Sequence, residues 1–168
     1  MKRIPVLLVG PRRWTDPARG SLETEADLQV VAEAADQAQA VAAVRAHRAS
    51  VAVIDEECLG SDPVPALSAL RHAHARTRVL VVTRDADDAY ALEIVRSGGH
   101  GVIPEASLPS AAGKAVRAVA GGQVWLTRSQ EGLILAALRQ FDAAAITASS
   151  RITRGRATNR LGVGSLGS

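Results

Sequence analysis

The sequence predicts an α/β protein in which helices cover both faces of a parallel, five-stranded sheet. Short apolar runs recur along the chain and are almost unbroken by polar residues, which is typical of strands buried on both faces. Between these runs lie stretches in which apolar residues follow helical spacing. Strands and helices alternate with a period of about 25 residues, and such alternation favours a parallel sheet over an antiparallel one.

The strands and helices are predicted from these runs in chain order. The predicted strands are Ile4–Val9, Leu28–Ala32, Val51–Ile54, Val79–Val82 and Val102–Ile103. One-sided helical spacing is found over 38–46, 64–70, 89–95 and 112–119. Asp36 and Ser107 are predicted N-caps, and the glycine pairs at 98–99 and 121–122 are predicted helix ends.

The first helix is the weakest prediction. It would have to include Gly20, which costs about 1 kcal/mol relative to alanine inside a helix. Pro17 is tolerated well only in the first turn of a helix. The segment between the first two strands is therefore expected to be a poor helix.

The chain is predicted to divide into three parts. Residues 3–126 form the α/β domain, and 127–141 form an amphipathic linker helix that carries Leu133, Leu135 and Leu138. Residues 142–168 form a basic tail rich in Ser, Arg and Gly, which is predicted to be disordered because it lacks apolar periodicity.

Composition and charge argue against one class of function, specific DNA binding. The net charge of +3 comes from the tail, where Arg151, Arg154, Arg156 and Arg160 face only Asp142, so the body is neutral. Aromatic residues make up 2% of the chain. A neutral body with few aromatics is not expected to bind DNA specifically on its own.

The cysteine count excludes two kinds of site, and the lengths of the apolar runs bear on where the protein is located. One cysteine, Cys58, excludes an intramolecular disulfide and a cysteine-based zinc site. No apolar run reaches the roughly 18 residues of a membrane span. We expect a cytoplasmic protein without a cofactor or a metal, and with no membrane contact.

Several segments together resemble the receiver domain of response regulators of the NarL/LuxR-like type. The resemblance covers roughly residues 3–139. Its anchors are the segments 6–9, 28–34, 53–55, 77–83, 99–103 and 118–126. It implies a flavodoxin-like, doubly wound sheet and a domain that receives a phosphoryl group on an aspartate.

Carried over position by position, the resemblance is partial. Asp55 falls on the phosphoacceptor position, and Thr83 falls on the hydroxyl position that contacts the phosphoryl group. The acidic pair after the first strand falls on Gly10 and Pro11, and the lysine before the fifth helix falls on Glu105. The aromatic switch position of the fifth strand falls on Val102.

These differences weaken the phosphoryl transfer that the resemblance implies. In the family, a magnesium ion and a lysine offset the charge of the phosphoryl group. Magnesium prefers carboxylate oxygens, which Gly10 and Pro11 do not have. Glu105 places a negative charge where a lysine would offset the phosphoryl group. Glu56 and Glu57 add further negative charge beside Asp55.

Each of these positions has both a structural and a functional interpretation. The structural one is favoured for Asp55, through a contact with Arg12 or Arg13, and for Thr83, through a local hydrogen bond. Arg12 and Arg13 are expected to be solvated rather than to bind an anion. Glu105 is expected to be a solvated loop acid.

The sequence thus favours an atypical pseudo-receiver that is not an enzyme and has no catalytic residue. It is expected to act in signal transduction or transcription regulation through a protein partner or a homodimer, using the first and fifth helices and the linker helix. One alternative is a slow response regulator phosphorylated on Asp55. The others are a small-ligand sensor at the pocket of Gly10, Arg12, Asp55 and Thr83, and a transcription regulator whose DNA-binding part lies elsewhere.

Overall fold

A computed structural model describes residues 2–85 and 87–142. Five parallel strands form one sheet in the order β2-β1-β3-β4-β5. This is the flavodoxin-like order of a doubly wound sheet, so the predicted fold class is confirmed. The predicted disordered tail lies outside the described residues, apart from Asp142.

The elements follow the predicted alternation, with one short additional helix after β3. The strands are β1 (Ile4–Val9), β2 (Leu28–Ala34), β3 (Val51–Asp55), β4 (Arg78–Thr83) and β5 (Gly101–Pro104). The helices are α1 (Arg12–Glu23), α2 (Gln37–His47), α3 (Glu56–Leu59), α4 (Pro63–Ala73), α5 (Asp88–Arg96) and α6 (Leu108–Ala120). A 3-10 turn, Glu105–Ser107, separates β5 from α6.

Two apolar clusters, one on each face of the sheet, form the core. Helices α2, α4 and α5 cover one face with side chains that include Val44, Leu70 and Ile94. Helices α1 and α6 cover the other face with Trp14, Leu22, Val116 and their neighbours. Because the central strands are buried on both sides, their sequences contain almost no polar residues.

Helix α1 is longer and more regular than its sequence suggests. It runs for 12 residues and contains both Pro17 and Gly20. Trp14, Ala18 and Leu22 lie on its buried face, at the i, i+4, i+8 spacing of a core-facing stripe. Packing of this stripe outweighs the low helix propensity of the proline and the glycine.

Helix ends agree with the prediction at Asp36 but not at Ser107. Asp36 Oδ1 accepts a hydrogen bond from the Gln39 amide at 2.8 Å. Ser107 occupies the N-cap position of α6, but its side chain makes no capping hydrogen bond. The preceding 3-10 turn already leads the chain into the helix, so the backbone at Ser107 is helical rather than extended.

The chain divides into two units, the first comprising residues 1–127 and the second beginning at Arg128. In the second unit the structure describes a helix over 128–142. Leu133, Leu135, Leu138 and Phe141 are exposed on this helix. Across the described ranges, no helix is both long enough and apolar enough to cross a membrane.

His100 extends the hydrogen bonding between β4 and β5 with its side chain. Its backbone N–H donates to Val79 O at 2.8 Å, and its Nδ1 accepts from the Val79 amide at 3.1 Å. Nδ1 must therefore be unprotonated in the folded protein. Burial, followed by the charges of Arg78 and Arg71, lowers the pKa of His100 below its usual 6.5.

This contact predicts a pH dependence of stability. The unfolded chain binds a proton on His100 near pH 6.5, whereas the folded chain binds it only at lower pH. The contribution of His100 is therefore complete above pH 6.5 and is lost as the pH falls through its lowered folded pKa. We expect the free energy of unfolding, measured with urea, to decrease as the pH is lowered from 7.5 to 5.5.

His100→Asn tests the assignment, because Asn Oδ1 can accept the same hydrogen bond but does not titrate. We expect this variant to be less dependent on pH than the parent protein, while His72→Asn, on the exposed side of α4, retains the full dependence. Identical pH profiles for the parent and His100→Asn would contradict this interpretation.

Candidate functional site

The candidate site lies at the carboxyl ends of β1, β3 and β4, where the chain leaves the sheet. In doubly wound sheets, ligands bind outside this edge. Asp55 ends β3 and Thr83 ends β4, so the parallel register brings both residues to the same edge. Gly10 and Pro11 follow β1 directly and begin the turn into α1.

Asp55 is buried, and both oxygens of its carboxylate accept hydrogen bonds. Its relative exposure is 3%. Oδ1 accepts from the Glu57 amide at 3.0 Å and thereby caps α3. Oδ2 accepts from Trp14 Nε1 at 2.7 Å and lies 3.7 Å from the Arg13 guanidinium. A buried carboxylate needs such partners, because leaving one unpaired is costly.

The Trp14 indole fills the space beside Gly10. A Cβ built on Gly10 would lie 2.5 Å from Trp14 Cζ2 and 3.0 Å from Asp55 Cβ. Side-chain carbons do not approach so closely, and the φ of +154° at Gly10 also favours glycine. No side chain at position 10 fits while the indole occupies this place.

The magnesium ion that the resemblance implies does not fit these residues. Gly10 and Pro11 offer no carboxylates, and the space beside Gly10 is filled by the ring of Trp14. One oxygen of Asp55 is bound to the indole N–H. Among the described residues, no group of three or more His, Cys, Asp or Glu side chains is placed to hold a metal.

Glu105 is not the solvated loop acid that the sequence suggested. It forms a two-point ion pair with Arg13, at 3.0 Å to Nε and 3.3 Å to the terminal nitrogen. This hydrogen bond is the main reason that the pKa of Arg13 is raised. Both arginines are exposed, but Arg13 is bound to Glu105, whereas Arg12 makes none of these contacts.

Thr83 is buried at the end of β4, and its hydroxyl has one proton for two acceptors. Asp85 O at 3.0 Å is the local contact expected of a strand-end hydroxyl, whereas Glu56 Oε2 at 2.8 Å is distant in sequence. The backbone N–H of Arg84 donates to the other Glu56 oxygen at 3.0 Å. The side chain of Glu56 thus connects the ends of β3 and β4.

Burial and nearby carboxylates shift the pKa values of two groups beside the site. Burial, followed by the charge of Glu56, raises the pKa of Tyr90 on α5 to about 12. Burial and the charge of Asp55 raise the pKa of the Cys58 thiol, so this cysteine is a weak nucleophile. Val102, at the predicted switch position, is 5% exposed and belongs to the same apolar cluster as Tyr90.

A cavity of about 490 Å³ lies beside the site rather than at it. Neither Asp55 nor Thr83 lines it, and the two arginines at its wall are already paired with carboxylates. Its lining residues are Arg13, Trp14, Pro17, Arg84, Glu105, Ala106, Leu108 and Pro109.

The sequence did not identify Trp14 as a site residue, and it indicated Glu56 only as a charge beside Asp55, not as the partner of Thr83. The signal for Trp14 was the glycine at position 10, since a missing side chain leaves room that a neighbouring ring can fill. The signal for Glu56 was its position directly after Asp55. The pairing of Asp55 with Val82 between β3 and β4 brings the following residues, Glu56 and Thr83, opposite each other.

Comparison with known proteins supports the resemblance. No family model matches the chain. The chain is 30% identical over 106 residues to the oxygen regulatory protein NreC of Staphylococcus epidermidis, which covers 62% of this chain and 49% of that protein. It is 28% identical over 120 residues to the "Probable transcriptional regulatory protein NarL" of Mycobacterium tuberculosis, covering 71% and 56%. The chain thus spans about half the length of these curated relatives.

Solved structures agree with these relatives. The signal receiver domain of M. tuberculosis NarL is 25% identical with a TM-score of 0.67, and the match covers 73% of this chain and 100% of that one. The chain has the fold of a receiver domain, and its sequence is similar to those of NarL/LuxR-type response regulators. A LuxR-family response regulator from Aurantimonas shares the receiver fold, with a TM-score of 0.70 and 23% identity over 81% of this chain and 98% of that one. Receiver domains of response regulators belong to two-component signalling.

Trp14→Phe tests the hydrogen bond to Asp55. The substitution keeps an aromatic ring but removes the donor from a buried carboxylate oxygen. We expect the free energy of unfolding to decrease by about 1–3 kcal/mol, as measured by denaturant titration.

Trp125→Phe is the matched control, because this half-buried indole donates no hydrogen bond to Asp55. In an Asp55→Ala background, Trp14→Phe is expected to lower the free energy of unfolding by less than it does in the parent. An equal decrease in both backgrounds would show that the hydrogen bond does not stabilise the fold.

Gly10→Ala tests the steric relation between position 10 and the indole. We expect the free energy of unfolding to decrease by about 1–3 kcal/mol, the usual range for overpacking, because the new methyl group would overlap the Trp14 ring. In a Trp14→Ala background this overlap is absent, so Gly10→Ala should lower the free energy of unfolding by less.

Gly20→Ala provides the control within α1. Apart from the backbone of α1 itself, no heavy atom lies within 4 Å of a Cβ at Gly20, so this variant is expected to be neutral or more stable by up to about 1 kcal/mol. A Gly10→Ala cost that is the same with and without Trp14 would rule out competition for the space beside Gly10.

Proposed function

We propose that this chain is a pseudo-receiver, which acts in signal transduction by contact with other proteins and does not depend on efficient phosphorylation of Asp55. The observation that carries the proposal is the position of Trp14. Its indole occupies the space beside Gly10 and donates to Asp55 Oδ2 at 2.7 Å.

Three features of the site oppose formation of an acyl phosphate. An incoming phosphodonor would have to replace the Trp14 hydrogen bond to reach Asp55 Oδ2. The other oxygen is held by the Glu57 amide. Arg13, the cation nearest to Asp55 in the described structure, is bound at two points to Glu105 and is already partly neutralised.

The proposed role is non-enzymatic, in the cytoplasm, with a protein partner or a second copy of the chain. Support comes from the exposed apolar side chains Leu133, Leu135 and Leu138 on the helix over 128–142, since large exposed apolar patches commonly mark contact surfaces. That this chain alone does not bind DNA specifically remains a prediction from its charge and composition.

A small-ligand sensor at the pocket of Gly10, Arg12, Asp55 and Thr83 is disfavoured by the contacts of these residues. The space next to Gly10 is filled, and Asp55 and Thr83 are buried and hydrogen-bonded, whereas Arg12 is exposed. An acidic metabolite would also meet Glu56, Glu57 and Glu105 near the same edge of the sheet.

The test is incubation of the full chain with acetyl phosphate and magnesium, followed by intact-mass measurement. We expect no stoichiometric phosphoryl adduct, because neither the metal ligands nor a free lysine assists the transfer. Asp55→Asn and Asp62→Asn are the paired variants, since Asp62 caps α4 through the Val64 amide at 3.0 Å, as Asp55 caps α3.

A stoichiometric adduct on the parent that disappears in Asp55→Asn and persists in Asp62→Asn would overturn the proposal. It would favour instead the slow response regulator that uses Asp55.

A further inference from the structure

Two hydrogen-bond donors at the end of β4 converge on one carboxylate. The single proton of the Thr83 hydroxyl faces Glu56 Oε2 at 2.8 Å and Asp85 O at 3.0 Å, so the shorter of its two contacts is the one to Glu56. The Arg84 amide donates to the other oxygen, Glu56 Oε1, at 3.0 Å. A hydroxyl and a backbone amide that meet the two oxygens of one carboxylate form a small oxyanion site. Thr83 is 1% exposed, so one of these donors is removed from bulk water.

The position of Glu56 follows from the sheet register. Asp55 pairs with Val82 between β3 and β4. Glu56 follows Asp55 as the first residue of α3, and Thr83 follows Val82 as the last residue of β4, so the Glu56 side chain lies within reach of the Thr83 hydroxyl. Glu56 is half-buried as the first residue of α3.

The neighbouring ion pair between Glu57 and Arg84 does not hold the turn in the way that Glu56 does. Glu57 contacts the Arg84 guanidinium at 3.3 Å, and the two side chains are 63% and 60% exposed. Exposed pairs of this kind contribute little to stability. The two-donor contact of Glu56 involves a buried hydroxyl and a backbone group, and it therefore fixes the turn more directly.

We propose that Glu56 is a built-in occupant of an oxyanion site formed by the Thr83 hydroxyl and the Arg84 amide. The anion that fixes this turn is thus supplied by the chain itself. A small carboxylate binds the same two donors when the Glu56 side chain is removed. This inference rests on the proposed function, and it identifies what holds the end of β4 when Asp55 carries no phosphoryl group.

The experiment is amide hydrogen exchange of the full chain, followed by NMR, with the Arg84 amide as the reporter. In Glu56→Ala this amide is expected to exchange about tenfold faster or more, a change equivalent to about 1.4 kcal/mol of protection. Glu57→Ala, which removes only the exposed partner of the Arg84 side chain, is expected to leave the rate unchanged.

Added sodium formate is the probe for the vacant site, and sodium chloride at equal ionic strength is its control. Formate is expected to restore the protection of the Arg84 amide in Glu56→Ala. It is expected to restore less in Glu56→Ala/Thr83→Val, which has lost one of the two donors. Glu56→Gln, whose single amide oxygen can accept from both donors only weakly, should give an intermediate rate and serves if Glu56→Ala does not fold.

Unchanged exchange in the Glu56 variants would overturn the inference. It would also be overturned if formate restored no protection, or restored it equally with and without the Thr83 hydroxyl. Because the reporter is the Arg84 amide, this result is independent of whether Asp55 accepts a phosphoryl group. An adduct on Asp55 together with formate rescue would reject the pseudo-receiver and retain the oxyanion site.

Discussion

The hydrogen bond from the Trp14 indole to Asp55 is the contact on which the rest of the site depends. Asp55 must be at the end of β3 to cap α3, and there it is almost fully buried. A carboxylate in such a position needs donors on both oxygens. The Glu57 amide supplies one and the Trp14 N–H supplies the other. The indole can reach Asp55 only because Gly10 has no side chain.

Much of the fold could be predicted from the sequence, because burial on both faces of a parallel sheet leaves a direct record in the composition of each strand. Helix α1 was harder to predict. Its local propensity is lowered by Pro17 and Gly20, and its stability comes from packing of Trp14 and Leu22 in an apolar cluster that includes α6, a helix distant in sequence. Propensity arguments use neighbouring residues and do not include such contacts.

The candidate site was predictable only in part, for the same reason. The positions of Asp55 and Thr83 follow from where their strands end, and the missing acids at Gly10 and Pro11 are visible in the sequence. The replacement for those acids is not visible there, since Trp14 and Asp55 are 41 residues apart and Arg13 and Glu105 are 92 apart. Neither pair leaves a local periodic pattern.

The ion pair between Arg13 and Glu105 connects the start of α1 with the turn after β5. The resemblance implies acids after β1 and a lysine after β5, whereas here the cation follows β1 and the acid follows β5. The two charges of this pair thus stand in exchanged positions. The consequence for Asp55 is different, because the acid of the pair now adds negative charge to the edge of the sheet. The exchange links the start of α1 to the turn after β5, and it places an acid where the resemblance implies a lysine that would offset a phosphoryl group on Asp55.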